Sequence, residues 1–371
     1  VLPSPTFGMH QYTADLANRF ALAGHNVHVV TTASMPKDRY LPIVHIHTPV
    51  STTNTGFSLE AVRTRDLGRA EQAIMDVDPD LVHFTGPHAW NLALLRTLRK
   101  QGVPTIHTLH DLDPHRGSGY GALLRIWNRQ IMGAADHILV HGETYYERVL
   151  EMGVQPDRVT STPLLHLFVG GDWIRSHPDL ALSVEYEPWA LFFGRLKQYK
   201  GIEYLITATA MMDNDKDSPA QVVIAGRGDL TALWSEPMPE RLVVHNRLVS
   251  DEEATDLFSR CGLLVLPYVD ATQSALIASA YFFRKPVIVT RTGALPEYVE
   301  EDRTGRIVEP DHPAGLARCM EDMLSNPDEL RRMGTAGRKW YEARRRQEEQ
   351  ALLHAYDRLA GARRRAPARV H

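Results

Sequence analysis

Two cations lie five positions apart in the glycine-containing segment WALFFGRLKQYKGI. The apolar run 189–193 is typical of a buried strand and ends at Gly194. Arg195 and Lys200 follow, and the apolar period that starts at Ile202 predicts a helix. Open α/β sheets bind ligands where strands end in such turns, and two cations beside a helix amino end suit a diphosphate. The alternative is that both are solvated loop charges.

Two more glycine-bearing turns follow predicted strands in the second half of the chain. Gly226 ends the apolar run 222–225, and Gly293 follows the run 287–290. One such turn says little, but three in one doubly wound unit predict a ligand crevice along the strand ends. We therefore include Gly194 and Gly226 among the candidate ligand-binding residues.

A polar triplet opens the helix in the segment LPYVDATQSALIASAYFFRKPVIVT. The run 263–267 predicts a strand, and a helix is expected to begin near Ser274. Thr272, Gln273 and Ser274 would present backbone N–H groups at that helix end, which is a natural phosphate site. The alternative is ordinary helix capping by Thr272 or Ser274.

Composition excludes several classes of protein. The 371 residues are 43% hydrophobic and 23% charged with a net charge of −4, so nothing indicates a nucleic-acid partner. The cysteines, Cys261 and Cys319, suggest neither a disulfide framework nor a thiolate metal site. No apolar run has transmembrane length, and no secretory signal is visible. We expect a cytoplasmic protein, with the inner face of the membrane as the alternative location.

Short apolar runs alternate with amphipathic stretches through both halves of the chain. This βαβα rhythm predicts an α/β fold with two doubly wound parallel sheets covered by helices. Residues 1–2 look like the tail of a first strand, and Ser250 with Glu253 predicts a capping box. The predicted strands are 27–31, 43–46, 81–84, 105–109, 138–140, 190–193, 222–225, 242–245, 263–266 and 287–290.

Weak periodicity between residues 168 and 188, with paired glycines and two prolines, indicates the domain boundary. We predict a first domain over 1–175 and a second over 176–345. A final helix and basic tail over 346–371 could return to the first domain. That helical pattern spans 328–359, and we expect it to be interrupted near Gly334 and Gly337. The basic end is expected to be disordered, with a weak contact to anionic lipid as the alternative.

Five segments in order resemble retaining glycosyltransferases of family 4, which have the two-domain GT-B architecture. They are LANRFALAGHNVHVVTT, PTIHTLHD, FFGRLKQYKGIEYLITA, IAGRGD and PVIVTRTGALPEYVEEDRTGRIVEP. The resemblance covers nearly the whole chain. It implies two Rossmann-like domains facing a cleft, with the donor held mainly by the second domain and the acceptor by the first.

The resemblance also implies roles for single residues. Arg195 and Lys200 match the cations that hold the donor diphosphate, and His110 matches the histidine near the reacting sugar. Gly8 matches the second glycine of a pair at which the backbone approaches the donor. The segment whose backbone binds sugar and phosphate is matched by Thr272, Gln273, Ser274, Ala275 and Leu276.

Three positions depart from the family pattern. Ala271 and Ser279 stand where the family has two glutamates eight positions apart, and Phe7 stands where it has the first glycine of the pair. Ser279 would bind the ribose hydroxyls more weakly than a glutamate. Asp270 could supply the first carboxylate instead. These departures bear on which donor is bound and how tightly.

A metal site is the alternative for the segment HTLHDLDPH. Residues three apart on a strand point to opposite faces, so His107 and His110 should not converge. The resemblance also implies that cationic side chains neutralise the leaving diphosphate without a metal. We expect no metal and no other cofactor, because the nucleotide sugar is a substrate.

The resulting expectation is a hexosyltransferase-like enzyme that moves a sugar from a UDP- or GDP-sugar to an acceptor hydroxyl with retention. The acceptor would be a carbohydrate or a lipid-linked molecule in polysaccharide, glycolipid or other glycoconjugate synthesis. Two alternatives stay open. One is a nucleotide-sugar epimerase of the same architecture, and the other is a non-catalytic relative that binds sugar nucleotides.

Overall fold

The structure is a computed structural model that describes residues 1–54, 62–112, 121–168, 185–212 and 220–365. Within these residues the chain forms ten α-helices and twelve strands in three parallel sheets. The predicted boundary at residue 175 lies outside the described residues.

The second domain is built on one six-stranded parallel sheet. Its spatial order is β12-β11-β10-β7-β8-β9. Counted outward from β7, this is the doubly wound Rossmann order. The direction in which successive strands are added to the sheet reverses between β7 and β10, while all strands stay parallel. A ligand crevice is expected outside the carboxyl ends of those two strands. The strands are β7 (Trp189–Phe193), β8 (Gln221–Ala225), β9 (Leu242–His245), β10 (Leu263–Leu266), β11 (Val287–Thr290) and β12 (Gly305–Val308).

Helices cover both faces of this sheet, which explains why its central strands are almost wholly apolar. β10 and β11 have no exposed side chain. Ser250 accepts a hydrogen bond from the Glu253 N–H at 3.2 Å, which confirms the predicted N-cap. The Glu253 carboxylate binds Arg247 instead of closing the capping box. The helices are α6 (Ile202–Met211), α7 (Asp251–Arg260), α8 (Leu276–Phe282) and α9 (Pro313–Leu324).

The first domain divides its strands between a pair, β1-β2, and a four-stranded sheet, β3-β4-β5-β6. Residues 1–2 link them: Leu2 forms a parallel bridge with Thr31, and the Thr85 N–H donates to the Val1 carbonyl at 3.2 Å. The predicted strand tail therefore lies between β1 and β3. The strands are β1 (His28–Thr32), β2 (His45–Val50), β3 (Val82–Phe84), β4 (Thr105–Leu109), β5 (His137–Val140) and β6 (Val159–Ser161).

Five helices belong to the first domain. The chain turns into α1 after residues 1–2, so the start of this helix lies at the carboxyl edge of the first-domain sheets. The helices are α1 (Phe7–Leu22), α2 (Thr64–Met75), α3 (Asn91–Lys100), α4 (Gly121–Ala134) and α5 (Glu143–Glu151).

The final helix, α10 (Pro327–Arg365), is continuous, so the predicted interruption near its glycines is wrong. Those glycines permit close packing: a Cβ on Gly334 would lie 1.8 Å from the Arg284 carbonyl oxygen, and one on Gly337 would lie 2.4 Å from the Tyr281 ring. The helix also extends past residue 361, where we expected disorder; residues 366–371 lie outside the described residues.

The second half of α10 contacts the first domain, as the sequence suggested. Arg345 forms an ion pair with Asp15 of α1 and another with Glu348, at 2.9 Å. The Tyr356 hydroxyl hydrogen-bonds to His83 Nδ1 at 2.5 Å. Burial raises the pKa of Asp15, but the two guanidinium groups Arg345 and Arg19 outweigh it and hold this pKa at about 2. The helix therefore ties the two domains together.

Candidate active site

Interlocking backbone turns form the second-domain side of the site. Gly194 after β7 and Gly226 after β8 have φ of +123° and +147°, which L side chains rarely adopt. A Cβ on Gly226 would lie 1.9 Å from the Gly194 carbonyl oxygen. Both positions therefore require glycine for the fold itself, and these turns line the crevice where β7 ends.

Lys200 points back at the end of β7. Its Nζ lies 3.1 Å from where a Gly194 Cβ would be and 4.9 Å from the centre of the Tyr268 ring. Lys200 is half-buried, which disagrees with the alternative that both cations are solvated loop charges; Arg195 is exposed. Neither cation forms an ion pair with a described carboxylate, so their charge is available to an anion.

The segment after β10 reaches across the cleft. The Thr272 hydroxyl donates to Asp111 Oδ1 at 3.0 Å, and the Gln273 amide donates to the His110 carbonyl at 2.8 Å. On its other side, the Ala294 N–H donates to the Thr272 carbonyl at 2.9 Å. Two side chains of the predicted donor segment thus contact two consecutive first-domain residues.

Helix α8 begins at Leu276, two residues later than expected. Leu276 Cδ1 lies 3.8 Å from the position of a Gly194 Cβ, so this helix start adjoins the cationic loop. Ser274 is buried and Ala275 is half-buried at the same place. The predicted donor residues from both strand ends therefore meet.

Ser279 and Asp270 flank this segment differently. Ser279 is 1% exposed, and its hydroxyl lies 3.4 Å from the Ala275 carbonyl oxygen, within its own helix. Asp270 is half-buried, and its N–H donates to the Tyr199 carbonyl at 3.2 Å. A role for Ser279 in holding ribose stays a prediction.

His110 follows β4 and is fixed in one tautomer. Its Nε2 lies 2.9 Å from the Thr85 carbonyl oxygen, which can only accept, so Nε2 carries the proton. Burial lowers the pKa of His110, so the ring is neutral at pH 7 and Nδ1 holds a lone pair. The Tyr12 ring packs edge-on at 4.9 Å between ring centres and supports this orientation.

Gly8 lies in the first turn of α1, at the cleft. A Cβ on Gly8 would meet no atom within 4 Å, so the protein itself does not require glycine here. The neighbouring Phe7 is 51% exposed, and the Arg39 guanidinium lies 5.1 Å from its ring centre. Arg39 in turn pairs with Asp251 of the second domain at 2.6 Å. The open space beside Gly8 suits close approach by a ligand.

Among the contacts that join the domains and could not be predicted from the sequence, two involve acidic residues at the cleft. One is the contact of Asp111 with Thr272. The position of Asp111 directly after His110 was a sequence signal that could have indicated a role in the site. Glu297 accepts hydrogen bonds from the Glu143 and Thr144 N–H groups, at 2.6 and 2.9 Å, at the start of α5. Acidic residues that cap a helix of another domain leave no local pattern, so this contact had no sequence signal.

The described residues of the segment HTLHDLDPH do not form a set of metal ligands. His107 Nε2 accepts a hydrogen bond from the Asn91 amide at 3.0 Å, away from the His110 contact with Thr85. Asp113 and His115 lie outside the described residues. Among the residues that the structure describes, no three His, Cys, Asp or Glu side chains are grouped to hold a metal ion. None of the described helices is long and apolar enough to cross a membrane.

Comparison with known sequences identifies relatives for both domains. The family model for Glycosyltransferase Family 4 matches residues 8–163, and that for Glycosyl transferases group 1 matches residues 187–326. D-inositol 3-phosphate glycosyltransferase of Corynebacterium diphtheriae is 25% identical over 89% of this chain and 84% of its own. The enzyme of the same name from Streptomyces scabiei is also 25% identical, over 89% and 81%.

Solved structures share the fold. Sucrose-phosphate synthase from Thermosynechococcus elongatus superposes with a TM-score of 0.70 at 20% identity, covering 95% of this chain and 93% of its own. Anabaena Alr3699/HepE in complex with UDP-glucose gives 0.68 at 14% identity, covering 95% and 97%. The predicted GT-B architecture is confirmed, and the chain belongs to glycosyltransferase family 4.

Proposed function

We propose that the enzyme transfers a hexose from a UDP- or GDP-sugar to a hydroxyl group of a carbohydrate or lipid-linked acceptor, with retention at the anomeric carbon. The observation that carries this proposal is the pair of cations without a described ion-pair partner, Arg195 and Lys200, at the switch point of a Rossmann sheet. Such a site favours the diphosphate of a nucleotide sugar.

Charge stabilisation would supply most of the catalysis. When the bond between the sugar C1 and the phosphate oxygen breaks, negative charge grows on the leaving diphosphate. Lys200 is held against Tyr268 and Gly194 before any ligand binds, so it needs no rearrangement to meet that charge. Preorganised charges of this kind lower the barrier more than mobile ones do. We expect them to act without a metal.

Retention follows if the acceptor attacks from the face that the diphosphate leaves. The acceptor oxygen would form a bond to C1 while the C1–phosphate bond breaks, and the hydroxyl proton would pass to the leaving phosphate oxygen. His110 has its Nδ1 lone pair free to accept a hydrogen bond from a donor-sugar hydroxyl, because Nε2 is bound to Thr85. Its role would be to orient the sugar.

Closure of the cleft would exclude water from the donor. Thr272 and Gln273 already contact Asp111 and His110, so the donor segment can approach the first domain closely. A dry cleft suppresses hydrolysis of the sugar nucleotide. The HepE neighbour is described with UDP-glucose, which makes UDP-glucose a reasonable first donor to test.

A thermal-shift panel tests the proposal directly. The panel contains UDP, GDP and ADP, each with and without an attached hexose, and a bound ligand raises the apparent stability. The donor that binds is then assayed with acceptors that include D-inositol 3-phosphate, the compound in the relatives' names. NMR of the product then assigns the α or β configuration at the anomeric carbon of the transferred sugar. Conversion of the donor without acceptor would favour the epimerase, and binding without turnover would favour a non-catalytic protein.

A further inference from the structure

The donor segment of the second domain has no carboxylate of its own. Residues 271–279 read ATQSALIAS and contain neither aspartate nor glutamate. A sugar bound there presents several hydroxyl groups, which need strong acceptors once water has been excluded. A carboxylate is the best such acceptor, because its hydrogen bonds are charge-assisted and each oxygen accepts more than one.

Asp111 brings a carboxylate to this segment from the other domain. It lies one residue beyond His110, at the carboxyl end of β4, and its Oδ1 accepts the Thr272 hydroxyl at 3.0 Å. The two residues are 161 positions apart in the chain. Asp111 is half-buried.

The neighbours of Asp111 are residues assigned above to the donor. The adjoining Gln273 amide is bonded to the His110 carbonyl at 2.8 Å, which fixes the backbone just before Asp111. Tyr199, in the turn between Arg195 and Lys200, is close enough for the Asp111 charge to influence it. The carboxylate therefore lies beside the donor segment and next to His110, the two parts of the site that a donor sugar would contact.

We infer that Asp111 is the carboxylate that binds the donor-sugar hydroxyls, with Thr272 fixing its orientation across the cleft. This inference rests on the proposed function. Asp111 would compensate for the carboxylates that are missing at positions 271 and 279, so the sugar site forms only when the two domains meet. Sugar recognition and closure of the cleft are then one event.

Calorimetric titration of Asp111→Asn with a nucleotide sugar and with its bare nucleotide separates this role from a structural one. The probe pairs are UDP-glucose with UDP, and GDP-mannose with GDP. Loss of a charge-assisted hydrogen bond should weaken binding of the sugar nucleotide on the order of 10- to 100-fold. Binding of the bare diphosphate should change less than about threefold, because it makes no sugar contact. Asp157→Asn, an exposed first-domain carboxylate, is the matched control and should change neither.

Thr272→Val provides a second variant that does not alter the carboxylate itself. It should weaken the sugar nucleotide less than Asp111→Asn does, and again spare the bare diphosphate. The inference is overturned if Asp111→Asn weakens both probes equally or neither, or if Asp270→Asn alone produces the sugar-specific loss. If the wild-type protein binds neither pair, the donor assignment itself fails.

Discussion

Buried neutral histidines should make the folded state sensitive to mild acid. Burial lowers the pKa of His107 to about 3 and those of His10, His137 and His166 to about 4. All four side chains are at most 8% exposed. Between their folded and unfolded pKa values, the unfolded chain binds more protons than the folded one. Stability therefore falls as the pH falls through 6.5.

The size of the loss follows from the same pKa values. At pH 5.5, each of these histidines favours the unfolded chain by about 1.4 kcal/mol relative to pH 7.5. Four together would cost about 5 kcal/mol. Burial raises the pKa of Glu348, which acts in the opposite direction. Burial also lowers the pKa values of His83 and His141, which adds to the loss from the four histidines. We therefore expect the free energy of unfolding to fall by about 5 kcal/mol, a large part of the stability of a typical protein.

Urea unfolding at pH 7.5 and 5.5, followed by far-ultraviolet circular dichroism, measures this loss. His107→Gln should reduce it by about 1.4 kcal/mol, whereas the exposed His354→Gln should leave it unchanged. The Asp15 ion pairs do not contribute in this range, because the pKa of Asp15 is about 2 and their stabilisation is lost only in stronger acid. A change below about 1 kcal/mol between the two pH values would mean that these histidines are not held neutral by burial.

Three further predictions concern the site. Turnover should survive a strong chelator, because Arg195 and Lys200 supply the positive charge; complete loss that one added divalent ion restores would contradict this. Gly8→Ala should lower turnover on the order of tenfold without loss of stability, since only a ligand would meet the added methyl group. The control is Gly68→Ala, at a helical glycine with equal space around it. Unchanged kinetics of Gly8→Ala would count against ligand approach at this position. Glu297→Gln should lower the free energy of unfolding by about 1 kcal/mol through the lost contact with α5, while Glu300→Gln should not; equal effects would argue against this contact.

Strand positions could be predicted because apolar runs of four or five residues must be buried strands in a parallel sheet. Four predicted strands, 105–109, 242–245, 263–266 and 287–290, have the observed bounds. Two strands were missed, β6 and β12. Each lies at the edge of its sheet and has polar residues or glycine in its short run, VTS and GRIV, so no apolar run of four residues marks it.

The chemistry of the site could be predicted only as far as residue types and turns allow. Glycine turns and cation spacing indicated the phosphate crevice, because these are local properties of the chain. The Thr272–Asp111 contact depends on how two domains meet, and the His110 tautomer depends on the Thr85 carbonyl. The half-buried state of Lys200 depends on Tyr268, which belongs to another strand end. Such contacts leave no period or spacing in the sequence.

We propose that Arg195 and Lys200 bind the donor diphosphate. Replacement of Lys200 by methionine keeps an unbranched side chain beside Tyr268 and removes the ammonium charge. The most direct measurement is the transfer rate of Lys200→Met and Arg195→Met with the donor identified by the panel, beside Lys197→Met as a neighbouring exposed cation. We expect both site variants to lose roughly 10²- to 10³-fold in turnover with unchanged thermal unfolding, and the control to keep its activity. Near-full activity in both site variants would contradict the diphosphate assignment.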